Sequence, residues 1–297
     1  MADSGFRRKL NTQIAADEFV ENILGIPDDD GRLAAQIVCA ELGLQILEDS
    51  PTISNRNYRV AKYRSNKERQ RLHDIILSEL INMEQLDNDD DIYLGHGGAK
   101  PKNIQTNAQA YIVSGPPASG KSKIADTLAA ENGAYILDSD YAKRKFPEYH
   151  FYDGGASLVH KESDQIVFGG QTGKYLFEYC VYSRCNMVIP LVGRTSQSMT
   201  GICDKLIASG YSIHIVNVVL EPGKCAARAF QRFRDSKRYV PLSYIVDEVG
   251  DKPEVVYFRL KRQFKDDPNF KSFTQLSTDV SPGQPPDILE KTPHSPF

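Results

Sequence analysis

The stretch richest in chemistry is Gly115-Pro116-Pro117-Ala118-Ser119-Gly120-Lys121-Ser122. It matches the phosphate-binding pattern G-x-x-x-x-G-K-[ST] at every fixed position. Glycines let the backbone curl so that its N–H groups face phosphate oxygens, and the N-terminus of a following helix adds partial positive charge. Lys121 is expected to reach the β- and γ-phosphates, and the Ser122 hydroxyl to ligate Mg²⁺. Gly115, Ser119, Gly120, Lys121, Ser122 and Lys123 are therefore the candidate residues for a nucleoside triphosphate. The context suits the motif. The apolar run Ala110-Tyr111-Ile112-Val113 enters the loop, and Ile124, Ala125, Leu128 and Ala129 leave it at helical spacing.

Downstream, a second apolar run ends in acid: Ala134-Tyr135-Ile136-Leu137-Asp138-Ser139-Asp140. Strands of a parallel sheet end on the same side, which brings this acid pair near the phosphates. If the backbone stays extended, Asp138 and Asp140 point the same way. Asp140 is the candidate base for an attacking hydroxyl, with Asp138 a structural or metal-side partner. A strand-end aspartate that merely caps the next helix is the competing reading. Basic residues then gather at Arg228, Arg232, Arg234, Lys237 and Arg238. Arg228 and Arg232 share a helical face. Phe230, Phe233 and Tyr239 interleave with them, so part of that helix must pack. This tilts Arg232 and Arg238 toward stabilising the charge of a transferring phosphoryl group.

These groups need a scaffold, and the pattern supplies an α/β one. From Ala110 onward strands alternate with helices, the signature of a parallel sheet. Expected strands are Tyr111–Ser114, Ala134–Leu137, Met187–Leu191 and Ile213–Leu220. Expected helices are Lys121–Glu131, roughly Ser157–Arg184, Ser196–Ser209 and Gly223–Asp235. His214 inside the last strand reads as a packed core histidine. Residues 1–90 read as an all-helical region with amphipathic segments near Ile14–Leu24, Leu33–Leu47 and Lys67–Met83. Residues 91–109 read as a linker, 110–270 as the α/β domain that carries the phosphate loop, and 271–297 as a loosely ordered Pro/Ser-rich tail.

Of the 297 residues, 40% are apolar and 25% charged, an ordinary globular composition. The net charge of −3 argues against general coating of nucleic acid. No apolar run approaches the roughly 18 residues that span a bilayer, and the polar N-terminal stretch does not suit a signal peptide. The 5 cysteines are scattered and lack C-x-x-C spacing, which points to reduced thiols and a cytoplasmic setting.

Taken in order, the loop, the acid-ended strand and the arginine helix resemble the zeta toxin family of P-loop kinases. The matching pieces are Gly115–Ser122, then Asp138-Ser139-Asp140 with Lys143, Arg144, Phe146, Pro147, Glu148 and Tyr149. Next come Asp153-Gly154-Gly155-Ala156, His160-Lys161-Glu162-Ser163, Gly193-Arg194-Thr195 and the segment from Arg228 to Pro241. The resemblance implies ATP and Mg²⁺, Asp140 as general base, and Arg232 and Arg238 in charge-stabilising places. It also implies phosphorylation of a hydroxyl of UDP-N-acetylglucosamine, and a helical antitoxin over the nucleotide site. Where the family carries an E-G-T triplet for the sugar, this chain has Pro190-Leu191-Val192, so the acceptor side departs from the pattern. Asp138, His160, Glu162, Arg194 and Thr195 are the candidates for touching the acceptor.

Three readings follow. The first is a nucleotide-sugar kinase of this kind, with an antitoxin in trans or in cis through residues 10–86. The second is an effector kinase acting on another nucleotide-like acceptor, such as a dinucleotide cofactor. The third is a silenced nucleotide-binding partner protein.

Overall fold

The run before the glycine-rich loop forms strand β1 (Gln109–Ser114), buried from Ala110 to Ser114. It is the centre of a six-stranded sheet with β2 (Tyr135–Ile136), β3 (Met187–Leu191), β4 (Ser212–Val219), β5 (Phe270–Ser277) and β6 (Asp287–Lys291). The order is β2-β3-β1-β4-β5-β6. All neighbours are parallel except the edge strand β6, which runs antiparallel to β5. The structure is a computed structural model and describes residues 9–25, 31–46, 51–150, 155–170, 174–236, 238–281 and 283–297. Leu47, Asp153, Gly154 and Lys237 lie outside the described residues.

Helices α1 (Gln13–Glu18), α2 (Arg32–Ile46), α3 (Pro51–Ser54) and α4 (Asn66–Asn82) precede β1. Thereafter come α5 (Lys121–Asn132), α6 (Ser139–Arg144), α7 (Gly155–Leu158), α8 (His160–Phe168) and α9 (Leu176–Tyr182). The series closes with α10 (Ser196–Ala208), α11 (Pro222–Ser236) and α12 (Lys252–Phe264). Among the described residues, no helix is long and apolar enough to cross a membrane. The single helix expected over Ser157–Arg184 is instead α7, α8 and α9. Val159 interrupts helical geometry before α8, and Gly169-Gly170 ends it.

The helices ahead of the sheet divide between two cores. Leu72, Ile76 and Leu80 of α4 are fully buried in the same cluster as β1, β3 and β4. Phe19, Val20, Leu33, Ala34, Ile37 and Ala40 instead join a second cluster with Ala226, Ala229, Phe230 and Phe233 of α11. Phe19 follows α1 in a π-helical turn, Phe19–Ile23, and its ring lies 4.8 Å from that of Phe230.

Residues 91–109 are packed in part, with residues 102–107 exposed. Ile92, Ala99 and Ala108 are buried, and the Gln85 side chain donates to the carbonyls of Ala99 (2.8 Å) and Ala134 (2.9 Å). The stretch read as a loose tail carries β5 and β6. Its polar letters disguised a buried strand whose side chains find partners. Ser272 Oγ shares a hydrogen bond with His214 at 2.8 Å, and Gln275 donates to Glu254 at 3.0 Å. His214 is thus a core residue, 7% exposed, and burial pushes its imidazole down to about 4.

Glu162, expected at the acceptor, is buried behind the site instead. Arg69 of α4 donates through Nε to Glu162 (2.7 Å) and through Nη1 to Glu148 (2.8 Å), and stacks 4.7 Å over the Phe146 ring. His73 Nε2 lies 3.3 Å from the same Glu162 oxygen. Burial opposes ionisation of Glu162, but His73 and Arg69 overcome it and hold the carboxyl below its ordinary 4.5. Removing one member of a buried ion pair leaves the other charge uncompensated, at a cost of about 3–5 kcal/mol. Glu162→Ala is therefore expected to lower the urea midpoint of unfolding. Because the folded carboxyl titrates below the unfolded one, its contribution is complete above pH 4.5 and is lost as pH falls through the folded value. The difference between Glu162→Ala and the parent should shrink on acidification, and a constant difference would contradict an ionic role.

Candidate active site

β1 delivers the chain to the phosphate loop and α5 carries it away. The turn is tight enough to demand glycine at its start. A Cβ on Gly115 would lie 2.5 Å from the Val218 carbonyl and 3.0 Å from Ser119 Oγ. Gly120 caps α5 in the left-handed region at φ 86°. Ser119 is fully buried, and among the described residues its hydroxyl has no partner. Lys121 folds back so that Nζ donates to the carbonyls of Gly115 (2.8 Å) and Pro116 (2.5 Å). Burial pushes this ammonium down to about 8 despite the nearby Asp138 carboxylate, an environment that an anion would relieve.

The loop opens on a cleft of ≈ 800 Å³ lined by Lys121, Ser122, Asp138, Asp140, His160, Arg228, Arg232 and Arg238, among others. β2 stops at Ile136 and α6 begins at Ser139, so Asp138 and Asp140 do not share an extended strand. Asp138 is the N-cap of α6. Its Oδ1 accepts from the Asp140 backbone N–H at 2.8 Å, and burial pushes its carboxyl up despite the nearby Arg238 and Lys143. Asp140 lies in the first turn of α6, with Oδ1 accepting from Lys143 Nζ at 2.7 Å and Oδ2 paired with Arg238.

Helix α11 presents its two faces to different tasks. Phe230 and Phe233 are buried, while Arg228 and Arg232 border the cleft. Arg228 donates to the Thr278 carbonyl at 2.7 Å, and Arg232 Nη2 lies 3.4 Å from Asp90. Tyr239, next to Arg238, donates to the buried Glu41 of α2 at 2.6 Å.

The remaining candidates separate. His160 opens α8 at the cleft, half exposed, 3.6 Å from Asp164. Arg194 pairs with Glu248 at 2.9 Å and stacks 5.9 Å over Tyr244, so it stands behind that ring rather than among the lining residues. Thr195 caps α10, accepting from the Ser198 N–H at 3.3 Å, and does not line the cleft. Lys123 is exposed on α5, also outside the lining. Pro190, Leu191 and Val192 do line it and give one wall an apolar surface.

Sequence reasoning missed the loop Asp87–Asp91, Asp126 and Thr278. Asp126 lies four residues beyond Ser122, a spacing that places both on one face of α5. Thr278 Oγ1 donates to the Ser119 carbonyl at 2.7 Å, tying the end of β5 to the phosphate loop. Burial, then the carboxylates of Asp89 and Asp138, push Asp126 up to about 7. A carboxyl raised in the folded state makes stability fall with pH between its ordinary and its folded value. Asp126→Asn is accordingly expected to raise the thermal midpoint more at pH 8 than at pH 5. Equal shifts at both pH values would refute the raised titration.

The zeta toxin family profile matches residues 98–266, more than half of the chain. No curated protein sequence matches it. Among solved structures, the chain is similar to one from the PezAT chromosomal toxin-antitoxin system of Streptococcus pneumoniae. Identity is 14% and the TM-score 0.51, over 76% of this chain and 82% of that one. It is also similar to the AvrRxo1-ORF1:AvrRxo1-ORF2 complex with ATP, at 15% identity and a TM-score of 0.49, over 82% of this chain and 71% of that one. At these identities the likeness is one of fold. A profile match that takes in the phosphate loop, the acid-capped α6 and the arginines of α11 makes this protein a member of the zeta toxin family of P-loop phosphotransferases.

Proposed function

We propose that the chain transfers the γ-phosphoryl group of ATP to a hydroxyl of a small-molecule acceptor, with Asp140 as the base. The observation that carries this is the meeting of the Asp140 carboxylate, the Lys121 ammonium and the Arg232 and Arg238 guanidinium groups in one cleft. Lys121 exchanges its two carbonyl partners for phosphate oxygens, a stronger charge-assisted contact. Ser119 Oγ, buried and without a partner, and the loop N–H groups fit the β-phosphate. Arg232 and Arg238 supply the positive charge that the loose phosphoryl-transfer transition state requires.

Mg²⁺ fits this donor set when it arrives with the nucleotide. Among the described residues, no group of three or more His, Cys, Asp or Glu side chains is arranged to hold a metal by itself. Magnesium keeps several waters and takes one or two protein oxygens beside phosphate oxygens. Ser122 Oγ, at the head of α5 in the cleft lining, is the protein oxygen assigned here. The bound ion would neutralise charge developing between the β- and γ-phosphates.

Sheet order supports a division of the cleft. β4 and β5 flank β1 on one side, where Arg228 meets Thr278, and β3 and β2 flank it on the other. The acceptor is assigned to the β3–β2 side, among Asp138, Asp140, His160, Tyr244 and the Pro190–Val192 wall. The family resemblance favours a nucleotide sugar such as UDP-N-acetylglucosamine there, with a dinucleotide cofactor as the second choice. An antitoxin is a proposed partner on the same grounds, and a cytoplasmic setting follows from the same reading. For masking in cis the geometry offers little support. Among the described residues none before Asp87 borders the cleft, and α1 and α2 pack on the outer face of α11.

The test is ATP consumption in the presence of nucleotide sugars and dinucleotides, with mass spectrometry for one added phosphate. Asp140→Asn should lower kcat by about 10²–10⁴-fold with the KM for ATP changed only a few-fold. Lys121→Ala should instead weaken ATP binding itself. A phosphorylated dinucleotide would keep the chemistry and replace the acceptor. Full activity of Asp140→Asn would remove this residue from the role of base.

A further inference from the structure

The loop Asp87–Asp91 comes before the stretch that matches the family profile, yet it is built into the site. Asp87, Asn88 and Asp89 line the cleft, while Asp90 stands behind them. Four contacts fix the loop in place. Asn88 Oδ1 accepts from the Asp90 backbone N–H at 3.2 Å, which holds the turn. Asp89 Oδ1 accepts from the hydroxyl of Tyr141 at 2.8 Å, and Asp90 Oδ1 from Arg144 Nη2 at 3.0 Å. Tyr141 and Arg144 belong to α6 and are 1% and 3% exposed, so the loop is anchored to a rigid helix. The fourth contact crosses the cleft rim: Arg232 Nη2 of α11 lies 3.4 Å from the same Asp90 oxygen.

Arg232 borders the cleft and its partner does not. An arginine on a partly exposed helix face loses rotamer entropy when it is ordered. A carboxylate fixed behind it removes part of that cost before substrate arrives. The burial that opposes ionisation of Asp90 is outweighed by Arg232 and Arg144, which keep its carboxyl below the ordinary range and hence charged at neutral pH.

We propose that Asp90 is a positioning residue for Arg232, aiming its guanidinium at the transferring phosphoryl group from a loop outside the family-matched domain. This rests on the reading of Arg232 as a charge-stabilising residue. The alternative role for Asp90, neutralising the buried Arg144, would be structural and would act whether or not Arg232 is present.

A double-mutant cycle on the full chain separates them. Turnover of ATP is followed by ADP release, with water and with UDP-N-acetylglucosamine as acceptors, for the parent, Asp90→Asn, Arg232→Ala and the double variant. Asp90→Asn is expected to lower kcat about tenfold in the parent background and less than twofold beside Arg232→Ala, a coupling of ordinary size for residues in contact. The KM for ATP should stay near the parent value, and any fall of the thermal midpoint from the Asp90–Arg144 pair should be equal in the two backgrounds. An equal loss in both backgrounds, a loss confined to KM or to the midpoint, or no loss at all would overturn the proposal. If Arg232→Ala itself retains full kcat, or the parent does not turn over ATP, the reading beneath the proposal fails first, and the two failures are distinguishable. Should Asp90→Asn not fold, Asp90→Glu keeps both charge partners while displacing the carboxylate by one methylene. A kcat loss of several-fold that vanishes beside Arg232→Ala is then the supporting result, and a loss that persists there the opposing one.

Discussion

Holding several cations around one cleft is the constraint on which the architecture depends. Like charges at close range repel, and burial penalises each of them. The fold meets this by setting an oxygen of the protein against each cation. Lys121 takes two loop carbonyls, Arg228 the Thr278 carbonyl, Arg232 the carboxylate of Asp90, and Arg238 that of Asp140. None of these partners matches a triphosphate in charge density, so the cleft is stable as it stands and still suited to a stronger anion.

Those oxygens come from separated parts of the chain, which explains why segments outside the glycine-rich loop are structural necessities. Thr278 follows β5, near the chain's C-terminal end. Asp90 lies in a loop between α4 and β1. Asp140 opens α6 on the far side of the sheet order. The arginine helix α11 has an apolar face, and α1 and α2 cover it, with Phe19 against Phe230 and Glu41 holding Tyr239 beside Arg238. A helix with one face in a core and the other in a cleft cannot drift without breaking one or the other. In this sense the N-terminal helices brace the arginines.

The β3–β2 side of the cleft is built on a different principle. The apolar Pro190–Val192 wall, the Tyr244 ring with Arg194 behind it, and the half-exposed His160 form a surface with few fixed charges of positive sign. Glu162, which its position after His160 suggested for this wall, turns inward because α8 is amphipathic and its inner face meets Arg69 and His73 of α4. The two carboxylates around Arg69 thus hold α4, α8 and the 3-10 turn Pro147–His150 together and leave the cleft wall to other residues.

The sequence by itself determined the local chemistry. The glycine pattern, the apolar run before it and the helical spacing after it specify the phosphate loop, because loop, strand and helix there are contiguous and short-range physics decides them. The expected strands at Met187–Leu191 and Ile213–Leu220 were legible for a similar reason: strands covered on both faces read as continuous apolar runs. Only the tertiary structure decided which distant groups complete the site. Asp90 and Thr278 carry no local signal of their own, since an aspartate in an acidic loop or a threonine after a polar strand looks solvated until its partner is known. The same cause hid β5, whose Ser272, Thr274 and Gln275 are buried because His214, Ser295 and Glu254 satisfy them. Hydrogen bonds between residues far apart in sequence make polar letters compatible with a core, and a pattern of hydrophobicity along the chain contains no record of them.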